Sequence, residues 1–522
     1  MSTRDQQPAI SRRGLLAGGL AAGAGLTGWP WLDPGAAAPA GAPTRGGTLL
    51  AAQEVDPISL DPHTNANLSA LQGYEHAYEA LTTYDERMNV VPALATRWEI
   101  SPDGITYTFH LREGVRFHNG QTMTASDVQY SINRVLDPKT ASPFQNVFAV
   151  IKEVRALDPL TIQLALAQPY YGLLSEFASL RASGIVPQGI AERENLKVQA
   201  VGTGPFKLLE YVPQDHLTYA RHDQYWDRPL PYLDGLQFKI LTEEAARLSG
   251  IRGGQLQYSV LSPEGVRQIG NNGAVAVLQA PFAWAAAHRI NVSRKPLDDA
   301  RVRRALRMAV DTRAVIQKSV FGAGIPTGPL PTGFDGWALK PDTLPYQTPD
   351  VATARRLLAE AGYPAGGFTV TINCSPQYPE FVASSLVLQD AARAIGVTVN
   401  VQQMEWGAFL KVGLNFDLAA TAWTFRADPD GYLYPFFHST GVLNAGPYRN
   451  PSLDAVLDRA RTTASHADRV ALYDQAQRTL LADAATYWYY TKFNIEALSA
   501  RVHGYTQSFS GRRMFLKKSW IA

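Results

Sequence analysis

A chain of 522 residues is too long for a single hydrophobic core, so its length predicts two or three domains. Apolar residues make up 46% of it and charged residues 18%, which is the balance of an ordinary folded protein. The formal net charge is +2 and no block of like charge stands out, so there is no electrostatic case for a nucleic-acid partner. The chain is rich in aromatic rings, and a surplus beyond the needs of the core often lines a ligand cleft.

The first 43 residues are typical of a secretion signal and linker and not of a folded domain. Arg12 and Arg13 stand just before a Gly/Ala-rich apolar run, residues 15–26, which is too short to span a bilayer. The sequence APA at residues 38–40 fits a small-x-small cleavage site, and the arginine pair is similar to that of a twin-arginine signal. An unstructured tail with chance arginines is the alternative interpretation.

The cysteine content and the later apolar runs bear on where the mature protein works. No cysteine lies near the cleavage region, so we expect no lipid anchor. No apolar run beyond the signal reaches membrane-spanning length, and we therefore expect a soluble protein in the periplasm. Cys374 is the only cysteine, which excludes an internal disulfide.

The first part of the mature chain predicts short strands interrupted by helices. Four segments are expected as strands: residues 46–52, 105–111, 150–156 and 160–166. Two segments are expected as helices: residues 68–81 and 126–136. Ser126 and Asp127 are the expected N-terminal caps of the second helix.

Helical periodicity becomes stronger in the second part. Three helices that begin with an acidic residue are expected over residues 298–310, 311–322 and 350–362. Arg301, Arg303 and Arg304 are expected to form a solvated face of the first of them. A strand–helix–strand unit is then expected over residues 368–373, 379–395 and 397–403. Such a unit implies a partly parallel sheet.

The stretch AWTFRADPDGYLYPFF, residues 422–437, follows a further predicted strand at 417–423. It holds two aspartates, one arginine and six aromatic rings. In open α/β sheets, ligands bind beyond the carboxyl ends of the strands. This position favours a pocket wall over an acidic turn beside a hydrophobic plug.

The common motifs of catalysis and metal binding are missing from the sequence. It contains no phosphate-binding G-x-x-x-x-G-K-[ST], no H-E-x-x-H and no G-x-S-x-G. The ten histidines are scattered without the spacing of metal ligands, so we expect no metal site built from protein ligands and no cofactor. The sequence does not indicate an enzyme.

Six segments, in order along the chain, carry a resemblance to a known family. They are SLDPHT at 59–64, YEALTTYD at 78–85, PALATRWEISPDGITYTFHLREGVRFHNGQTMTASDV at 92–128, VGTGPFKLLEY at 201–211, NVSRKPLDDARVRRALRMAVD at 291–311 and DPDGYL at 428–433. Together they are similar to the extracytoplasmic solute-binding proteins of family 5, the peptide-, nickel- and opine-binding receptors of ABC importers. The long third segment is the most specific, and the match covers nearly all of the mature chain.

The resemblance implies an α/β chain with the two-lobed periplasmic-binding-protein fold, type II-like and of three domains, with a ligand cleft between the lobes. It divides the chain into a signal and linker at 1–43, a discontinuous domain I at 44–70, 200–285 and 490–522, domain II at 71–199 and domain III at 286–489. Strands that cross between the lobes would form a hinge, and closure would enclose the ligand.

The resemblance also implies candidate ligand contacts. Peptide-binding members place an Asp three residues after a strand tryptophan, where it pairs with the α-ammonium of the peptide. Trp423 matches that tryptophan, and Arg426 stands where the acid is expected. A loop shorter by one residue would place Phe425 there instead. Asp428 is the candidate substitute for the acid, and its alternative role is to bond backbone N–H groups around Pro429.

Three more positions are predicted from the same resemblance. Trp406 matches a family position that faces the cleft, and Ser59 and Leu60 lie on the first pocket loop. Core packing is the alternative for each tryptophan, and we expect it for Trp284. If Arg426 faces the cleft, its guanidinium would favour a ligand with a carboxylate or another anionic group.

The function that the resemblance implies is that of an extracytoplasmic receptor. It would capture a peptide or peptide-like small solute and deliver it to the ABC permease subunits of the inner membrane. We expect it to act as a monomer. Two alternatives stay open at this point, namely a secreted hydrolase, for which no nucleophile motif is present, and a sensor or chaperone on the same scaffold.

Overall fold

The computed structural model describes residues 41–412 and 415–522, and residues 42–522 form one compact unit. The predicted signal at residues 1–40 lies outside the described residues. None of the described helices combines the length and the apolar character that a membrane span requires.

Residues 41–240 contain ten strands and four α-helices, with one 3-10 turn at Pro138–Thr140. In chain order they are β1 (Thr48–Gln53), α1 (Leu68–Tyr74), β2 (Thr82–Tyr84), β3 (Val90–Pro92), β4 (Ala95–Ile100), β5 (Thr106–Leu111), α2 (Ala125–Leu136), α3 (Gln145–Phe148), β6 (Ile151–Asp158), β7 (Thr161–Leu166), α4 (Leu173–Ala178), β8 (Phe206–Val212), β9 (His216–Arg221) and β10 (Gly235–Ile240).

The described part of residues 241–522 adds nine strands and ten α-helices, with 3-10 turns at Pro341–Thr343 and Met514–Lys518. In chain order they are α5 (Glu244–Arg252), β11 (Tyr258–Val260), α6 (Pro263–Ile269), β12 (Val275–Ile290), α7 (Ala300–Met308), α8 (Thr312–Val320), β13 (Gly324–Pro326), α9 (Val351–Glu360), β14 (Thr369–Cys374), α10 (Pro379–Arg393), β15 (Thr398–Gln403), α11 (Trp406–Leu410), β16 (Leu418–Thr424), α12 (Pro429–Phe437), α13 (Pro451–Thr462), α14 (His466–Ala482), β17 (Thr486–Ser499), β18 (Val502–His503) and β19 (Trp520–Ile521).

One mixed sheet of eleven strands has the order β15-β14-β16-β12-β17-β11-β1-β10-β9-β8, with β13 added to β17. β1 pairs in parallel with β10, and β14 pairs in parallel with both β15 and β16. A separate antiparallel sheet has the order β4-β5-β7-β6, and two small sheets pair β2 with β3 and β18 with β19. The predicted strand–helix–strand unit is confirmed, because β14 and β15 are parallel neighbours connected through α10.

Two long strands join the two lobes of the fold. β12 and β17 pair antiparallel, and their register shifts between Pro281 and Ala285. On one side of the shift β17 also pairs with β11, and on the other side β12 pairs with β16. We refer to residues 41–281 and 493–522 as lobe one and to residues 285–491 as lobe two. The α/β two-lobed fold is confirmed, while the predicted boundaries of domains I, II and III stay predictions.

Each lobe has its own hydrophobic core. In lobe one, β5 buries Tyr107 and Phe109 on one face, as the alternation of apolar and polar residues predicts. In lobe two, β14 and β16 bury Ile372 and Leu418. Burying such a side chain stabilises the fold by about 1.5–3 kcal/mol. A further cluster of lobe two takes in Tyr84 of lobe one, so the lobes are in contact in this structure.

The predicted first helix is too long. α1 ends at Tyr74 instead of continuing to residue 81. The carbonyl groups of His76 and Ala77 accept hydrogen bonds from the backbone N–H groups of Phe206 and Gly204, at 3.1 and 2.9 Å. Contacts with a distant segment therefore replace the helical bonds that local periodicity predicts.

The predicted cap of α2 is displaced by two residues. Thr124, and not Ser126, is the N-cap, and it forms a capping box with Asp127 at the third helical position. The backbone N–H of Thr124 donates to Oδ2 of Asp127 at 2.8 Å.

The prediction that three arginines form a solvated face of α7 is wrong for one of them. Arg301 and Arg304 are partly exposed, but Arg303 is only 5% exposed. Its guanidinium donates to the backbone carbonyls of Leu297 and Asp483, each at 2.8 Å. Arg303 is thus a buried cation that ties the start of α7 to the end of α14.

Candidate ligand-binding site

The carboxyl ends of β14, β15 and β16 meet at one edge of the sheet in lobe two, because the three strands run parallel. The segments that leave this edge carry Tyr378, Trp406, Arg426 and Asp428. This is the edge at which ligands bind in open α/β sheets. Three of the predicted site residues are therefore brought to one place by the topology alone.

A row of five aromatic rings, which we name the aromatic row, lies at this edge: Trp284, Phe381, Tyr378, Trp406 and Phe409. Trp406 stacks on Phe409 with 5.3 Å between ring centroids and meets the edge of Tyr378 at 5.0 Å. Phe381 continues the row, 5.0 Å from Tyr378 and 5.9 Å from Trp284. All but Phe381 are partly exposed, so Trp406 belongs to a ring-lined surface. Core packing, which we expect for Trp284, is found only in part, because its ring stacks on the buried Phe381 but stays partly exposed.

Trp423 and its neighbour Thr424 lie on opposite faces of β16. Its side chain is 6% exposed and packs against Phe436 and Phe437, at 4.3 and 6.0 Å between ring centroids. The next residue, Thr424, is exposed, since successive residues of a strand point to opposite faces. The structure places Trp423 in the hydrophobic core of lobe two, which is the second of the two roles that the sequence left open.

Asp428 caps α12. Its Oδ1 accepts the backbone N–H of Asp430 at 3.0 Å and Nη2 of Arg469 at 2.7 Å, and the residue is 1% exposed. Of the two roles considered for Asp428, the structure therefore shows the turn role, and a buried ion pair reinforces it. Asp430 is also buried, 3.2 Å from Nε of Arg461. Desolvation raises the pKa of Asp430 to about 7, against the attraction of Arg461.

Phe425 and Arg426 occupy the boundary between the lobes. Phe425 is 3% exposed, and its ring meets that of Tyr84 of lobe one edge-on at 6.3 Å. Arg426 is partly exposed, and its Nη1 donates to the hydroxyl of Thr424 at 3.3 Å and to the carbonyl of Phe425 at 3.2 Å. Its backbone N–H donates to the hydroxyl of Tyr432 at 3.1 Å, which fixes this turn. Arg426, and not Phe425, has polar surface accessible to a ligand.

Ser59 and Leu60 lie in lobe one, and both are buried. The backbone N–H of Asp61 donates to the hydroxyl of Ser59 at 3.3 Å, and Leu60 packs in the core of the lobe. The residue before them, Ile58, is 71% exposed with a φ of 64°. On this loop the accessible apolar side chain is that of Ile58, which the sequence did not single out.

Tyr84 of lobe one is a further residue that the sequence analysis missed. Its hydroxyl lies 3.0 Å from the carbonyl oxygen of Ser175 in its own lobe and 3.0 Å from that of Ala427 in lobe two. Only one of these oxygens can accept the single O–H proton at a time. Tyr84 is therefore a polar link between the lobes next to Arg426.

Glu176 and Arg181 of lobe one were also missed. They are the only charged residues in the apolar run YYGLLSEFASLRASGIV, residues 170–186, and lone charges in such a run are the signal that could have found them. Desolvation and repulsion by Asp428 raise the pKa of Glu176 to about 7. Desolvation and repulsion by Arg426 lower the pKa of Arg181. Both side chains thus experience the charges at the carboxyl end of β16.

Comparison with known proteins assigns the family. The model of bacterial extracellular solute-binding proteins, family 5 (middle), matches residues 89–444. The chain belongs to this family. Its members are transport receptors of ABC importers and not enzymes, so the chain is a solute-binding receptor, as the six segments predict.

Three similar proteins show the range of solutes. The glutathione-binding protein GsiB of Pectobacterium atrosepticum is 30% identical over 465 residues, which cover 86% of this chain and 89% of that protein. Heme-binding protein A of Haemophilus influenzae is 31% identical over 492 residues, 87% of each chain. The solved structure of the periplasmic binding protein DppA of Helicobacter pylori, in complex with the peptide STSA, matches with a TM-score of 0.74 at 25% identity, over 92% of this chain and 98% of that one.

Proposed function

We propose that this receptor binds a peptide or peptide-like solute with a carboxylate or another anionic group, held by Arg426, and delivers it to the permease of an ABC importer. The position of Arg426 carries the proposal. It is partly exposed at the same sheet edge as the aromatic row, and it forms no ion pair with a carboxylate of the described residues. A guanidinium is a planar fork of donors that matches a carboxylate.

The chemistry of the similar proteins supports an anionic, partly apolar ligand. Glutathione and a free peptide each carry a carboxylate, and heme carries two propionate groups. The aromatic row offers ring faces for apolar parts of such a ligand, with Trp406 as its predicted contact. Four predicted residues are buried and, in this proposal, support the site: Ser59, Leu60, Trp423 and Asp428.

We also propose that the protein is exported through the twin-arginine route and acts as a monomer in the periplasm. The pair Arg12 and Arg13 before a weakly apolar run supports the route. The family to which the chain belongs supports an extracytoplasmic location.

The test is to identify the ligand and then to remove the charge. Mass spectrometry of the protein purified from its native periplasm should recover a solute with an anionic group. A charge-assisted hydrogen bond is worth about 1.5–3 kcal/mol, so Arg426→Ala should weaken binding of that solute roughly 10- to 150-fold by titration calorimetry, and Arg426→Asp should weaken it further.

The control is Arg393→Ala, which removes an exposed arginine of the same lobe. It should leave the affinity unchanged. Recovery of a solute without any anionic group, or unchanged affinity in both Arg426 variants, would refute the proposal.

A further inference from the structure

In the described part of the chain, four arginines lie near the boundary of the lobes at the carboxyl end of β16, and two of these four are paired. Arg461 and Arg469 pair with the two aspartates of α12, at 3.2 and 2.7 Å. Arg181 of lobe one and Arg426 of lobe two form no ion pair with a carboxylate of the described residues. Asp428, Asp430 and their partner arginines are therefore compensated within the protein, and Arg181 and Arg426 are not.

Arg181 is held in a position that leaves its donors poorly satisfied. Nη1 lies 3.4 Å from the carbonyl oxygen of Ala66, and Nε is buried without a hydrogen-bond partner. A donor removed from water without an acceptor is unfavourable, and native structures rarely leave one. The guanidinium carbon lies 5.9 Å from the centre of the Phe425 ring, so lobe two lies directly against it.

The two guanidinium groups act on each other across the boundary. The charge of Arg426 is, after desolvation, the largest cause that lowers the pKa of Arg181. Glu176 faces the same boundary but does not neutralise the pair. Its pKa is raised to about 7 by desolvation and by Asp428, and Tyr170 donates to it at 3.2 Å. Glu176 is therefore only partly ionised at neutral pH, and closing the lobes brings two cations together with incomplete compensation.

We propose that Arg181 and Arg426 form one anion-binding site split between the lobes, and that the carboxylate of the ligand, held by both guanidiniums, is what makes closure favourable. The inference rests on the proposed function, because it adds Arg181 to the site of Arg426. It also states that the ligand controls the closure of the lobes. An anion that contacts both arginines only in the closed form binds that form more tightly, and it shifts the population toward it. Without the anion, repulsion between the arginines opposes closure.

The first test needs no ligand. Single-molecule fluorescence with dyes on the exposed positions of Glu153→Cys and Asp390→Cys, one in each lobe, measures the ratio of closed to open protein. Removing either charge, by Arg181→Gln or Arg426→Gln, should raise that ratio about 1.5- to 5-fold, the range of partly exposed charge pairs. In the double variant the ratio of closed to open protein should rise no further than in either single variant, because the first change already removes the repulsion.

The matched control is Arg193→Gln. Arg193 is an arginine of lobe one that donates only to carbonyls of its own lobe, those of Gly189 and Gln188, at 3.0 Å each. It should leave the ratio unchanged. Equal ratios in wild type and in the Arg181 and Arg426 variants, or fully additive effects, would overturn the split site.

The second test uses the peptide Ser-Thr-Ser-Ala as the free acid and as its C-terminal amide. The wild type should prefer the acid roughly tenfold or more, and Arg181→Gln should lose most of that preference, as expected for a charge-assisted contact. If the amide binds as tightly as the acid, the split site is wrong while a peptide receptor stands. If neither form binds the wild type, the proposed peptide function fails, and the fluorescence experiment decides the arginine pair.

Discussion

At the scale of single residues, the available partners decide what each charge in the stretch AWTFRADPDGYLYPFF does. Asp428 meets a backbone N–H group and Arg469, so it caps a helix in the protein interior. Among the described residues, the guanidinium of Arg426 meets only a hydroxyl and a carbonyl, and in our proposal its charge is therefore available to a ligand. The two tryptophans separate in the same way: Trp423 is buried in the core and Trp406 is partly exposed at the sheet edge.

The raised pKa of Glu176 predicts that the closure of the lobes depends on pH. In this structure, in which the lobes are in contact, its pKa is raised to about 7 by desolvation first, then by Asp428 and Asp430, against Tyr170 and Arg426. In the open, solvated form its pKa should return toward about 4.3. Closing therefore takes up a proton between these values, and the ratio of closed to open protein should rise on the order of tenfold from pH 7.5 to pH 5.5. Above pH 7.5 this contribution is lost.

The variant Glu176→Gln isolates that group, because it stays neutral at every pH. In the two-dye experiment its ratio should vary little between pH 5.5 and pH 7.5. Glu244→Gln, in α5 of lobe one, is the control and should keep the wild-type pH dependence. A steep dependence that survives in Glu176→Gln would assign the proton to another group.

At the scale of elements, the turn between β16 and α12 is a part of lobe two that packs against lobe one. Phe425 packs on the ring of Tyr84, and the carbonyl of Ala427 lies 3.0 Å from its hydroxyl. The backbone of the turn is fixed by the cap at Asp428 and by the hydroxyl of Tyr432. A preformed turn loses little conformational entropy when it docks, which favours closure.

Tyr84→Phe should weaken that docking. The variant keeps the ring that packs on Phe425 and loses the O–H group that faces Ala427. A net hydrogen bond contributes about 0.5–1.5 kcal/mol, so the ratio of closed to open protein should fall roughly 2- to 12-fold. Small-angle scattering should show a larger mean radius of gyration.

Tyr107→Phe is the matched control for this variant. Its hydroxyl donates to the carbonyl of Tyr170 at 3.1 Å within lobe one. Both variants should lower thermal stability, and only Tyr84→Phe should change the closed fraction. An equal change in both would mean that the effect is one of general stability.

At the scale of the whole molecule, two strands carry the mechanical connection between the lobes. β12 and β17 pair on both sides of the register shift at Pro281 and Ala285, so each strand belongs to both lobes. The shift interrupts the ladder of hydrogen bonds where the lobes meet, and we expect the two strands to bend there when the lobes close. The members of the family to which the chain belongs are solute receptors of ABC transporters.

Export through the twin-arginine route is tested on the intact precursor. Replacing the arginine pair by lysines, Arg12→Lys with Arg13→Lys, should leave uncleaved precursor in the cytoplasm, measured by fractionation and immunoblotting. The net charge of the signal is unchanged by these replacements, so the variant tests the specific recognition of arginine. Normal export of the variant would show that the general secretion route suffices.

The sequence by itself determined the family and those elements that have a clear local period. The unit of β14, α10 and β15, the strand before Arg426 and the buried face of β5 follow from periodicity over a few residues, which is a local property. The unusual position of Arg426 was likewise visible, because it stands in a segment that resembles the family elsewhere.

Only the tertiary structure decided which residues meet at the site. It ended α1 at Tyr74, buried Arg303 and assigned Asp428 to a cap, each through contacts with segments far away in the chain. Above all, it brought Arg181 against the turn that carries Arg426. No local pattern encodes such a meeting, since it depends on how the two lobes pack against each other. The partners that this packing supplies determine which of the charges stay unpaired.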